Sequence, residues 1–165
     1  MKKGSFLLLA LLLVTLLLAG CGAAAPAVSG STQLENPMDK MADADAVNKQ
    51  LGTNLTVPEG ANDTECFVID DTIGQLTWRW RGVSYTYRAA VSADDISGIY
   101  SDITSTEKFT VKARDKSTEV TFNVVDNGCY AVWFWGDVQY SLHGNTAYEP
   151  DVQDMAKQLA AAGAA

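Results

Sequence analysis

Glu119-Val120-Thr121-Phe122-Asn123-Val124-Val125-Asp126-Asn127-Gly128-Cys129-Tyr130-Ala131-Val132-Trp133-Phe134-Trp135-Gly136-Asp137-Val138-Gln139-Tyr140-Ser141-Leu142 is the stretch whose reading decides the fold. Large apolar side chains recur at every second position, the period of a strand with one face buried. The alternation is interrupted twice by pairs that favour tight turns. With Asn127-Gly128 as a type I' turn, Val124 is expected to face Ala131, Phe122 to face Trp133 and Val120 to face Trp135. With Gly136-Asp137 as a type II' turn, Trp133 faces Tyr140 and Ala131 faces Leu142. The same side of three successive strands is then apolar, and a slip of one residue would turn every one of those side chains outward.

Outward from this meander the pattern repeats. Arg81-Gly82 makes a third turn, pairing Trp78 with Tyr85 and Leu76 with Tyr87 on the apolar side. Gln75, Arg79, Ser84 and Arg88 share the polar side. Phe109, Val111 and Ala113 alternate with charged residues in a further strand, and Cys66 to Ile69 belong to the first strand, with its register open. Tyr130, Val132 and Phe134 make the other side of the Cys129 to Trp135 strand apolar as well, which calls for a cover on both faces or a partner.

Helical spacing appears at both ends of the sheet. Asp43 to Leu51 places Ala46, Val47, Gln50 and Leu51 on one side, with Asp43 as cap and Gly52 past the end. Val57-Pro58-Glu59-Gly60 ends that pattern. Pro150 opens a closing helix in which Val152, Met155, Ala156 and Leu159 form one stripe. The expectation is an α+β domain: a mainly antiparallel, curved sheet of about seven strands, a short N-terminal helix, and a C-terminal amphipathic helix packed on one face.

The first part of the chain reads differently. Lys2 and Lys3 precede an almost purely apolar run from Phe6 to Leu18, and Leu18-Ala19-Gly20-Cys21 has the form of a bacterial lipobox. The run is shorter than the roughly 20 residues that span a bilayer, which favours cleavage over an uncleaved anchor. Residues 1–20 are therefore expected to be a lipoprotein signal peptide and Cys21 the lipidated residue. From Gly22 to Asn36 the chain is mostly Ala, Gly, Ser and Pro and holds too little apolar surface to fold, so residues 21–36 form a lipidated tether of roughly 20 Å. Residues 37–165 form a single domain. The expected location is the extracytoplasmic side of the cell membrane, held there by lipid, and Gly22 supplies no clear retention cue for a particular leaflet.

The precursor carries 12 basic and 20 acidic residues; without Lys2 and Lys3 the balance is 10 against 20, a formal charge of −10. Nucleic acids and anionic headgroups are recognised chiefly through Lys and Arg, so neither is an expected partner. An envelope protein or a small ligand remains. With Cys21 committed to lipid, Cys66 and Cys129 are an even pair in an oxidising compartment. A bridge between them would add about 4 kcal/mol in the chain-entropy model. Two buried free thiols fit the sequence equally well.

Several features together resemble the bacterial family described as domain of unknown function 4367, found in small extracytoplasmic lipoproteins. They are Glu35-Asn36-Pro37-Met38, Val57-Pro58, Tyr85-Thr86-Tyr87-Arg88-Ala89-Ala90, Asp95-Ile96-Ser97-Gly98 with Tyr100, and Trp135 followed by Tyr140-Ser141-Leu142. They span about Glu35 to Leu159. The resemblance implies a sheet with a closing helix, similar in some members to the curved sheets of lipoprotein carriers. It implies no activity, since none is established for the family.

No catalytic signature is present, no cofactor is called for, and a non-enzymatic protein is expected. His143 is the lone histidine and has no motif around it, so a surface role is favoured over a catalytic one. Zinc at Cys66, Cys129 and His143 lacks the usual local spacings. Asp70-Asp71 and Asp94-Asp95 are adjacent and so point to opposite faces in a strand; they read as turn and cap residues. Asp126-Asn127-Gly128 lacks the oxygen spacing of a calcium loop. Arg79, Arg81 and Arg88 share the polar side and would suit a carboxylate or phosphate, but in so acidic a chain they more readily pair with its own Asp and Glu. The one constellation with promise as a ligand surface is aromatic: Trp78, Trp80, Tyr85, Tyr87, Trp133, Trp135 and Tyr140. Such a stripe serves a core before it serves a groove. Three functions follow in order: a non-catalytic binding or interaction module, an acyl carrier with a cavity at Trp78, Trp133 and Tyr140, and an envelope hydrolase.

Overall fold

The structure, a computed structural model, describes residues 38–91, 94–146 and 148–164. The expected signal peptide over 1–20, the lipidated Cys21 and the tether over 21–36 lie outside the described residues.

Among the described residues eight strands form one antiparallel open sheet: β1 (Met38–Met41), β2 (Asn62–Ile69), β3 (Ile73–Trp80), β4 (Val83–Ala90), β5 (Ile103–Ala113), β6 (Lys116–Val125), β7 (Gly128–Trp135) and β8 (Val138–Gly144). Their spatial order is β1-β2-β3-β4-β8-β7-β6-β5. Two meanders therefore meet where β4 pairs with β8, and the connection between β4 and β5 crosses the sheet. Helix α1 (Ala44–Leu51) follows β1, and helix α2 (Glu149–Ala162) closes the described chain.

The turns at Arg81-Gly82 and Gly136-Asp137 pair as expected. Trp78 faces Tyr85 and Leu76 faces Tyr87, and Trp133 faces Tyr140 and Ala131 faces Leu142. Arg81, at φ 50, and Gly82, at φ 82, both adopt the left-handed conformation of a type I' turn, so Arg81 holds a position normally given to Asn or Gly. The third expected register is corrected. Val124 faces Cys129 and Phe122 faces Ala131, so the turn residues are Asp126-Asn127 and the pairing is displaced by two residues. Gly128, at φ 154, begins the next strand instead of completing the turn. Because the displacement is two, each side chain keeps its face.

The strand count of about seven becomes eight through β1. Met38 faces Ile69 and Met41 faces Cys66, so this four-residue strand covers part of the outer edge of β2. The other edge is β5, eleven residues long and mostly exposed.

Asp43 caps α1, its Oδ1 accepting from the Ala46 N–H at 2.8 Å, and Gly52 ends the helix at φ 67. Both helices lie on the aromatic side. Gly74 on β3 is where α1 approaches: a Cβ there would stand 2.6 Å from Val47 Cγ1 and 2.8 Å from Leu55 Cδ1. Gly144 on β8 does the same for α2, where a Cβ would lie 2.5 Å from Val152 Cγ2. The absence of a side chain at these two points is what allows the helices to seat. Val152, Met155, Ala156, Leu159 and Ala160 of α2 are buried against the sheet. No helix among the described residues is long and apolar enough to cross a membrane.

On the opposite side, the crossing connection is held by Arg88. Its Nε donates to Gln75 Oε1 at 2.8 Å, and its Nη1 donates to the carbonyl oxygens of Ile96 and Ser97, each at 3.1 Å. Asp95 folds the loop by accepting from the Ser97 N–H at 2.8 Å and from the Ser97 hydroxyl at 3.0 Å. Ile96 and Ser97 are buried as a result. Gly98 has φ 67 and lies against the guanidinium so closely that a Cβ would collide with it. This loop covers one part of that face, while Phe134 remains 46% exposed.

Candidate functional site

The aromatic stripe divides into two groups. Trp78, Tyr85, Tyr87, Trp133 and Tyr140 are no more than 2% exposed and belong to the core. Trp78 stacks on Tyr85 at 5.4 Å between ring centroids, Trp133 on Tyr140 at 5.7 Å, and Tyr87 stacks on both Trp133 and Tyr140 at 5.8 and 6.0 Å. These rings fill the core, as such a stripe does before it forms a groove: facing positions on β3, β4, β8 and β7 bring them into contact with one another, the helix layer covers them, and of the five only Tyr140 also borders a cleft. Trp80 and Trp135 are only partly buried. Trp80 is occupied by Arg81, whose guanidinium sits 4.1 Å from the ring centroid.

The stack carries more polarity than it can satisfy. Trp78 Nε1, Trp133 Nε1 and the hydroxyls of Tyr85 and Tyr87 are buried with no hydrogen-bond partner among the described residues. Burial pushes the Tyr85 phenol up to about 12, with the Asp151 charge adding to the effect. The Tyr87 phenol is raised as well, chiefly through burial, with the neighbouring Tyr140 phenol adding to it.

Trp135 and Tyr140 help line an open cleft of about 490 Å³, completed by Gly52, Thr53, Asn54, Lys116, Gly136, Val138, Gly163 and Ala164. Each wall has a local cause. Asn48 on α1 ties down the segment that follows the helix: its Oδ1 accepts from the Leu55 N–H at 2.7 Å and from the Thr53 hydroxyl at 3.0 Å, and its Nδ2 donates to Leu55 O at 2.8 Å. Thr53 and Asn54 are thereby held at the rim. The Trp135 indole is fixed from behind, Nε1 donating to Ala160 O in the last turn of α2 at 2.8 Å. Burial raises the Tyr140 phenol, and hydrogen bonding with the Asn54 backbone offsets part of that rise. Lys116 opens β6 beside the β7–β8 hairpin. The aromatic walls are thus set before any ligand arrives.

The other candidates do not assemble into a site. His143 lies on the opposite face of the sheet, in register with Thr86 and Tyr130 rather than with an acid. Burial lowers its imidazole, and the nearby Arg88 charge lowers it further. The three arginines do not converge: Arg88 is held by the crossing loop, Arg81 by Trp80, and Arg79 stands opposite Ser84. Cys66 and Cys129 are buried free thiols, so the bridge considered for them is not formed. Three strands separate β2 from β7, a span of roughly 19 Å at sheet spacing, against a Cα separation of at most about 7 Å in a disulfide. Burial raises both thiols above their ordinary range. Cys129 Sγ instead lies 3.6 Å from Thr146 O.

Sequence reasoning identified Trp135 and Tyr140 but missed Thr53, Asn54, Lys116 and Gly163. Those four come from three separated segments and share no local motif. The fold and cleft define an open antiparallel sheet with two helices on one face and a small aromatic-walled depression at one end. No family model, curated protein or solved structure matches the chain.

Proposed function

We propose that this chain is a lipid-anchored, extracytoplasmic binding module, non-catalytic and working at the cell membrane surface, in the manner of the small lipoproteins that resemble domain of unknown function 4367. The anchor is Cys21 of the lipobox, and the domain begins at about residue 37. The observation that carries the binding role is the cleft at Trp135 and Tyr140, whose volume falls in the range of small-molecule sites and whose aromatic walls are fixed from behind.

The alternatives fit less well. An acyl carrier requires a cavity at Trp78, Trp133 and Tyr140, and Tyr87 fills the space between them, packing on Trp78 and Trp133, while Trp133 stacks on Tyr140. A hydrolase would draw on His143, which sits across the sheet from the cleft. A ligand-detected screen of soluble 22–165 against saccharides, peptides and lipids tests the binding role, with hits expected to map to the cleft. A screen in which no class of compound binds there removes it. Metabolic labelling with a palmitate probe tests the anchor separately: the wild-type chain takes up label and Cys21→Ser does not.

A further inference from the structure

From the chemistry of its walls, we infer that the cleft takes a neutral saccharide, one sugar ring lying against the Trp135 indole. This rests on the binding-module reading and names its ligand class. A sugar ring presents a flat apolar C–H face and a rim of hydroxyls that both donate and accept. The cleft offers the complement of each. Trp135 cannot rotate away while its Nε1–H is held by Ala160 O, and Tyr140 is locked by its stack on Trp133 at an interplanar angle of 9°. Around these two rings stand polar groups of both kinds: Lys116 and the Asn54 amide as donors, the Thr53 hydroxyl and the carbonyls at the end of α2 as acceptors. The Asn54 amide reaches Gly163 O at 3.5 Å, a contact long enough to yield to a ligand hydroxyl.

Charge selects neutrality. The chain without its signal carries −10 and the carbonyl end of α2 adds partial negative charge at the rim, while Lys116 is the lone charged side chain among the described residues of the wall. An anionic ligand meets the overall negative field with only Lys116 to offset it; a neutral polyol does not. An acyl chain would leave Lys116, Thr53 and Asn54 facing hydrocarbon. Gly163 supplies the means of closing the site, because a Cβ there would stand 3.4 Å from Trp135 Cδ1 at an ordinary helical φ.

The test uses the full lipidated chain in detergent micelles, following the Trp135 indole N–H by NMR and assigning it with Trp135→Phe. Glucose, N-acetylglucosamine and cellobiose are titrated, with palmitate and an alanine dipeptide as competing classes. The saccharides are expected to shift the Trp135 signal while His143, across the sheet, stays unmoved. Gly163→Leu should abolish the shift, and Lys116→Ala should weaken binding about tenfold. Lys116 is exposed, so that variant keeps the test decisive should Gly163→Leu fail to fold. Palmitate or dipeptide shifting Trp135 where no saccharide does overturns the sugar inference and leaves the binding module standing. Silence from every probe overturns the sugar inference and, with the broader screen, the binding role.

Discussion

Tyr87 brings a hydroxyl into a fully buried ring stack that has no acceptor for it among the described residues. A buried, unpartnered polar group costs about 1–3 kcal/mol, so its removal without loss of volume should be harmless. Tyr87→Phe is expected to leave stability unchanged or raise it by about 1 kcal/mol in urea denaturation. A loss of more than that would show that the hydroxyl is hydrogen-bonded in solution. His143 is a second residue with a measurable signature. Its folded pKa is lowered from 6.5, so the unfolded chain takes up a proton first as the pH falls, and stability declines from about pH 6.5 downward to the folded value. His143→Gln should flatten that decline in denaturation curves recorded from pH 7.5 to 5.0. An identical slope in the variant would place the titrating group elsewhere. Of the candidate residues, Trp135 and Tyr140 were legible because both lie in strands with clear alternation. Lys116, Asn54 and Gly163 were not, because a hairpin start, a post-helical loop and a helix end carry no pattern that points at a shared cleft.

At the scale of elements, Arg88 ties the β4–β5 connection to the sheet, and the two motifs Tyr85 to Ala90 and Asp95 to Gly98 prove to be in direct contact through it. Arg88→Ala removes hydrogen bonds from a charged donor to buried acceptors and should destabilise the fold by about 2 kcal/mol. Hydrogen exchange at the amides of Ser97 and Ile99 should speed up more than exchange in β7. Uniform acceleration over the sheet would mean that Arg88 supports the whole fold and not this loop. The hairpins show how far alternation reaches. It settled the faces of β3, β4, β6, β7 and β8, since side-chain direction has period two. It could not separate Asn127-Gly128 from Asp126-Asn127 as the turn, since the two registers differ by two residues and leave the same faces buried. Strand β1 was illegible for another reason: Met-Asp-Lys-Met is too short to display a period, and it becomes a strand only because β2 offers an unpaired edge.

For the whole molecule, an open sheet with both helices on one face makes the two sides unequal. Among the described residues the aromatic side is sealed by α1, α2 and the segment containing Leu55, while a single loop covers only part of the other side and leaves Phe134 exposed. Cys66 and Cys129 sit far apart in this arrangement as buried thiols. Unfolding in denaturant with an alkylating reagent and no reductant should modify both, and native protein should react slowly because burial raises each thiol. Recovery of an unmodified, linked peptide pair by mass spectrometry would contradict the strand order itself, since β3, β4 and β8 lie between them.

The amino-acid sequence alone determined the antiparallel class, two of the three hairpin registers tested, and the side of each of those strands that turns inward. These are local properties, set by period, turn chemistry and capping within a few residues. Tertiary structure alone decided which aromatic rings are sealed and which meet solvent, that the cysteines are too distant to join, and that Thr53, Asn54, Lys116 and Gly163 stand around one depression. Those outcomes depend on which distant segments cover a given face, and no short-range pattern encodes the cover.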